Sequence, residues 1–130
     1  MNRPLSLGLA VLAGIALGAM AIKGPKPQNK PPTYVVVDIA EITDPEGFKA
    51  VTISAATSPA ATAALGGRYI IRTATTTALD GIPPKRLVVI AFDSKEKAQD
   101  WSDSQETKKI TAIRNKTTKS SSFIVEGFAN

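Results

Sequence analysis

The sequence predicts an α+β domain: a four-stranded antiparallel sheet in β-α-β-β-α-β order, with helices on one face. Three observations carry this. Two runs, "YVVVDIA" from Tyr34 and "LVVIAF" from Leu87, are apolar at consecutive positions and so on both faces of a strand. Each is followed by a segment that opens on a helix-capping residue and carries apolar residues at helical spacing. The segment "SSFIVEGF" closes the pattern as a last short strand.

The first strand runs from Tyr34 to about Ile42. In "DPEGF", Asp44 is a good N-cap and Pro45 fits the first helical position, where its missing N–H costs nothing. Phe48, Val51, Thr52 and Ala55 form the inward stripe of that helix. Pro59 cannot stand mid-helix, so Ser58-Pro59 reads as a second cap and restart, with an Ala-rich piece running to Leu65. Gly66 and Gly67 supply the left-handed geometry that ends it. "RYIIRT" starts the second strand, and Thr75, Thr76 and Thr77 are compatible with its continuation. Asp80-Gly81 marks a turn, stretched by Pro83 and Pro84. "KRLVVIAFD" is the third strand. Asp93 with Glu96 makes a capping-box pattern for a helix carrying Ala98 and Trp101 on one face. Ser102 to Ser104 interrupt that helix, and a second piece turns Ile110 and Ile113 inward.

This order is the split β-α-β, or ferredoxin-like, arrangement, with expected strand order 4-1-3-2. Its two central strands are the doubly apolar ones. An antiparallel sheet covered on one side alternates apolar and polar residues. The helices cover one face, so the other needs a cover too. A second copy packed sheet against sheet supplies it most economically, which makes a homodimer the expected partner. A monomer covered by its own linker or loops is the alternative.

Composition narrows the chemistry. Without cysteine or histidine there is no thiolate, no disulfide and no imidazole base or metal ligand. No metal site and no cofactor are implied. "LGGRY" is a helix stop and lacks the spacing of a nucleotide fingerprint. The net charge of +5 is mostly N-terminal. Arg3, Lys23, Lys26 and Lys30 precede Thr33, and the rest of the chain holds 12 basic against 11 acidic residues. Lys108, Lys109, Arg114, Lys116 and Lys119 cluster on one helix without interleaved aromatics. They read as a solvated face, so nucleic acid is not an expected partner.

Residues 1–21 read as a signal peptide. A basic start ending at Arg3 precedes an apolar stretch from Leu5 to about Ala19, and Ala19 and Ala21 offer the small residues a signal peptidase reads. The stretch is shorter than the roughly 20 residues a membrane span needs. Cleavage after Ala21 implies a periplasmic or secreted protein with no stable membrane anchor; an uncleaved anchor is the alternative. Residues 22–32, with Pro25, Pro27, Pro31 and Pro32 among lysines, read as an extended linker. Residues 33–130 are the folded domain.

In the order "YVVVDI…TDPEGF", "GGRYIIR", "PPKRLVVIAFDS", "KAQDW" and "SFIVEGF", the chain resembles the domain-of-unknown-function 1330 family of the dimeric α/β-barrel superfamily. The resemblance covers Thr33 to Phe128 and implies a ferredoxin-like fold and a dimer. The wider superfamily includes cofactor-independent monooxygenases, isomerases and haem enzymes; the family itself offers no catalytic residues to carry over. Where the family pattern places a tyrosine after the helix tryptophan and another five residues later, this chain has Ser102 and Thr107. Ser121 stands where the pattern has an arginine. If those family residues line a pocket, the pocket here is altered.

Six residues are the candidates for ligand binding. Asp38 ends the first apolar run and is expected beside Lys85 and Arg86, paired with Arg86. Glu126 is expected at the opposite end of the sheet, about four residues or roughly 13 Å from Asp38, too far for an acid/base pair. Arg68 and Arg72 are expected to share a face with Ile70, there to pair with Glu126 or to bind an anionic ligand. Trp101 is a core residue or a pocket wall. The expected function is that of an exported, dimeric small-molecule-binding or accessory protein. The alternative is a cofactor-independent enzyme, monooxygenase- or isomerase-like, acting on a small apolar or aromatic molecule held between sheet and helices.

Overall fold

The computed structural model describes residues 31–129, within which Pro32–Gly127 form one compact unit. The predicted signal peptide and most of the linker lie outside the described residues. The elements are β1 (Thr33–Ile42), α1 (Pro45–Ser54), α2 (Ser58–Ala64), β2 (Gly67–Thr73), β3 (Arg86–Phe92), α3 (Lys95–Asp103), α4 (Gln105–Thr117) and β4 (Thr118–Glu126). They build one antiparallel sheet of order β2-β3-β1-β4, the predicted arrangement. No helix among the described residues is long and apolar enough to cross a membrane.

Alternation along β1 divides its valines between two environments. Val35, Val37 and Ile39 face the helices and are buried with Phe48, Ile90, Phe92 and Ala98. Val36 points the other way, between Val89 of β3 and Phe123 of β4. That second face continues through Ile71, Phe123 and Val125, exposed by 41%, 48% and 41%. The long β2–β3 loop does not fold over it: Leu79 and Ile82 are 101% and 96% exposed. The doubly apolar strand therefore keeps one apolar face that no described element covers.

Asp44 caps α1 as predicted, its carboxylate accepting from the Gly47 amide at 3.1 Å. The Thr43 and Asp44 amides donate to the Thr117 carbonyl at 2.8 and 3.0 Å, tying the start of α1 to the end of α4. Several local expectations are corrected. Ser58 is the first residue of α2 rather than its cap, and its hydroxyl donates back to the Ser54 carbonyl at 2.9 Å. Of Gly66 and Gly67, Gly66 alone takes the left-handed conformation, with φ of 87°. Gly67 begins β2 and is needed for space, since a β-carbon there would lie 2.6 Å from the Phe92 ring. β2 ends at Thr73 because side chains take over the backbone groups: the Thr75 amide donates to Thr73 Oγ1 at 2.9 Å, and Thr76 Oγ1 donates to the Pro84 carbonyl at 2.8 Å. Ser94, not Asp93, caps α3, accepting from the Lys97 amide at 3.2 Å, because pairing through Phe92 carries the chain past Asp93 before it turns.

Candidate functional site

Ser104 sets the geometry of the site. It ends α3 and caps α4, its hydroxyl donating to the Trp101 carbonyl at 2.8 Å and accepting from the Thr107 amide at 3.3 Å. The break holds Trp101 in the last turn of α3, where its indole N–H donates to Thr62 Oγ1 at 3.1 Å. The indole also packs against Phe92, with ring centroids 5.8 Å apart. From Ser104, α4 crosses the β1–β4 half of the sheet and leaves a cavity of about 610 Å³ beneath it. Val35, Val37 and Ile124 form its apolar floor, Trp101 stands in its wall, and Asp103 and Lys108 also line it. A smaller cavity of about 140 Å³ lies beside it, among Ile39, Val51, Ile90 and Ile110. Val37, Trp101, Thr107, Thr111 and Arg114 line both.

Arg114 is the residue that sequence reasoning misplaced. It was expected on a solvated basic face, yet it is only 8% exposed. Lys119, from the same expected cluster, lies on β4 instead. Helical spacing carried a usable signal: Arg114 follows Ile110 by four residues and precedes buried Thr117 by three, on the inward stripe. Its Nη2 donates to Ser122 Oγ at 3.5 Å, the outer limit of a hydrogen bond, and its Nε has no partner. Burial lowers its pKa, because desolvation disfavours the charged form, but an arginine remains a cation at neutral pH. The two ion pairs among the described residues, Lys49–Glu46 at 3.2 Å and Lys119–Glu41 at 3.6 Å, lie elsewhere on the surface. Glu106, which lines the smaller cavity, sits two turns or roughly 12 Å up the axis of α4 from Arg114.

The structure separates the six predicted residues. Trp101 lines both cavities. Arg72 also lines the smaller cavity, with Nη1 donating to the Ala55 carbonyl at 2.9 Å and its guanidinium 5.1 Å from the Tyr69 ring centroid. It does not share a face with Arg68, because an irregularity between Tyr69 and Ile71 shifts the register. Arg68 is opposite Ala91 on the uncovered face, and Arg72 is opposite Val88 on the helix face. Neither approaches Glu126, since β2 and β4 are opposite edges of the sheet. Asp38 pairs in register with Leu87 and Ser121 on the uncovered face. Arg86 is opposite Ile39 and stacks over Phe48, 5.3 Å from the ring centroid, so the expected Asp38–Arg86 pair does not form. Glu126 is exposed opposite Thr33, five register positions from Asp38 rather than four, and therefore on the other face.

The model of the family described as "Domain of unknown function (DUF1330)" matches residues 32–128. The chain belongs to that family. No curated protein matches it. Among solved structures it is similar to a protein of unknown function from Rhodopseudomonas palustris, at 12% identity and a TM-score of 0.60, covering 78% of this chain and 85% of that one. A dimeric ferredoxin-like protein of unknown function from Thermobifida fusca aligns at 15% identity and a TM-score of 0.55, covering 78% and 92%. SnoaB, a cofactor-independent oxygenase from Streptomyces nogalater, aligns at 11% identity and a TM-score of 0.52, covering 77% and 96%. At these identities the likeness establishes the ferredoxin-like fold. In this DUF1330 member, Ser102 and Thr107 both line the larger cavity. Ser121 does not; it lies on the uncovered face opposite Asp38.

Proposed function

We propose that this protein is an exported homodimer that binds a small apolar or aromatic molecule beneath α3 and α4. The observation that carries the reading is the larger cavity. Its volume of about 610 Å³ is in the usual range for small-molecule sites, and there an apolar floor meets a largely polar wall that includes Asp103, Lys108, Arg114 and Asn115. The small side chains at Ser102 and Thr107 keep its wall open. The uncovered apolar face supports the dimer, with Val36, Val89 and Phe123 at its centre. The basic start at Arg3, the apolar stretch from Leu5 and the small residues before Ile22 support export to a periplasm or medium, with the Pro/Lys-rich segment as spacer.

A second reading is a cofactor-independent enzyme, monooxygenase- or isomerase-like. It is favoured by the convergence of Trp101, Arg114 and Ser122 on one cavity, and the SnoaB likeness adds an analogy of fold. Native mass spectrometry of the protein isolated from its own compartment tests the binding reading. The expected spectrum shows a chain lacking residues 1–21, a dimer mass and a retained small molecule. A monomer at micromolar concentration overturns the dimer, and an intact N-terminus overturns cleavage. Oxygen uptake or isomerisation of that molecule by the purified protein would move the conclusion to the enzyme.

A further inference from the structure

We infer that Arg114 is the anchor for an anionic group, a carboxylate or its equivalent, on the molecule that occupies the cavity; this rests on the binding reading above. Side chains as polar as arginine are rarely so fully buried unless paired. Arg114 is 8% exposed and has no carboxylate partner among the described residues. Its one polar side-chain contact is the 3.5 Å bond to Ser122, and its Nε is unsatisfied. Nε and Nη2 lie on the same edge of a guanidinium, the two-pronged donor that carboxylates match. Here one prong is enclosed and unpaired and the other is weakly held, so the edge meets an anion once the guanidinium turns toward the cavity. Ser122 Oγ stands beside it as a third group able to donate to the same anion.

The surroundings define the rest of the ligand. Arg114 lines both cavities, so an anion bound there sits where they meet. From that point an apolar floor runs both ways, toward Val35 and Ile124 in the larger cavity and toward Ile39 and Ile90 in the smaller, while the exposed Asp103 and Glu106 line the two cavities as well. The class this fits is an amphipathic monoanion with a flat or branched apolar body. A dianion such as a phosphate ester fits less well, because no second cation accompanies Arg114: Lys108 lines the larger cavity from an exposed position, and Arg72 is engaged with Ala55 and Tyr69.

A matched pair of probes tests this: 1-naphthoate and 1-naphthamide, alike in shape and different in charge. Each is titrated calorimetrically into the purified protein and into R114M and R114K, with amide NMR shifts to locate binding. Hydrogen bonds to charged groups are worth about 1.5–3 kcal/mol, so the wild type should prefer naphthoate by at least about tenfold. R114M should bring the two affinities within about twofold while leaving naphthamide binding at Val37 and Trp101 in place. R114K, which keeps the charge and loses the fork, should fall between. Equal affinity in the wild type, or a preference that survives R114M, overturns the anion assignment and leaves the cavity reading intact. Failure of both probes to bind or to shift Val37 and Trp101 removes the cavity reading, and the anchor with it. Should R114M not fold, the wild-type preference and R114K decide.

Discussion

Arg114 sits where a cation is least stable, under a helix and against an apolar sheet. A buried charge without a partner destabilises the fold that holds it, and replacing such a group by an apolar one of similar length is often neutral or better. R114M should therefore leave the thermal midpoint unchanged or raise it, by up to about 2 kcal/mol in stability, as measured by circular dichroism melts. A fall of that size would mean that the guanidinium holds β4 through Ser122 instead. Gly67 is the opposite case, a residue whose lack of a side chain is structural. Gly67→Ala places a carbon 2.6 Å from the Phe92 ring and 2.8 Å from Thr62 Cγ2. Overpacking there should cost about 1–3 kcal/mol in chemical denaturation. At this scale the sequence was only partly legible. Trp101 could be identified because a large aromatic in a short helix has few places to go. Arg114 was hidden by its neighbours, since Lys108, Lys109 and Lys116 made its charge look like part of a run. The one-residue shift in β2 that parts Arg68 from Arg72 leaves no mark in composition.

Helices and strands were far more legible, because periodicity and capping are local. Asp44, Pro45, Pro59, Gly66 and the double valine runs each act within a few residues, and the elements they define are the ones observed. The misread boundaries fall where competing groups stand side by side: Asp93 and Ser94 could each cap α3, and Thr73 to Thr76 could each continue β2 or turn it. The joint between α3 and α4 carries most for the proposed cavity. Ser104→Ala removes the cap of α4 and the hydroxyl bond to Trp101, and should cost about 1 kcal/mol by urea denaturation. Thr62→Val acts at the same joint from the other side. It leaves the Trp101 indole N–H without its bond at 3.1 Å, and should cost about 1–2 kcal/mol with a shift in tryptophan emission. With a single tryptophan in the chain, that emission reports directly on the cavity wall.

For the molecule as a whole, the proposed dimer rests on the apolar sheet face. Val36→Lys puts a charge at the centre of that face, between Val89 and Phe123, and should turn the proposed dimer into a monomer by light scattering. Ile53→Lys, at a position 73% exposed on α1, should leave the mass unchanged and serves as the control. A dimer that survives Val36→Lys would exclude sheet-on-sheet packing. That the central strand is apolar on both faces was readable from the consecutive valines. Which residues of the other strands complete the face depended on register, and register is a long-range property.

The irregularity in β2 has a further consequence. β2 is an outer strand, and a straight outer strand offers its backbone to the next molecule along, a route to open-ended growth. The bulge between Tyr69 and Ile71 spoils that template, as bulges at sheet margins do. Growth along the β2 edge is thereby discouraged while facewise addition stays open, and β4 is left as the outer strand still able to pair sideways. One displaced residue on the rim thus takes one of the sheet's two edges out of play.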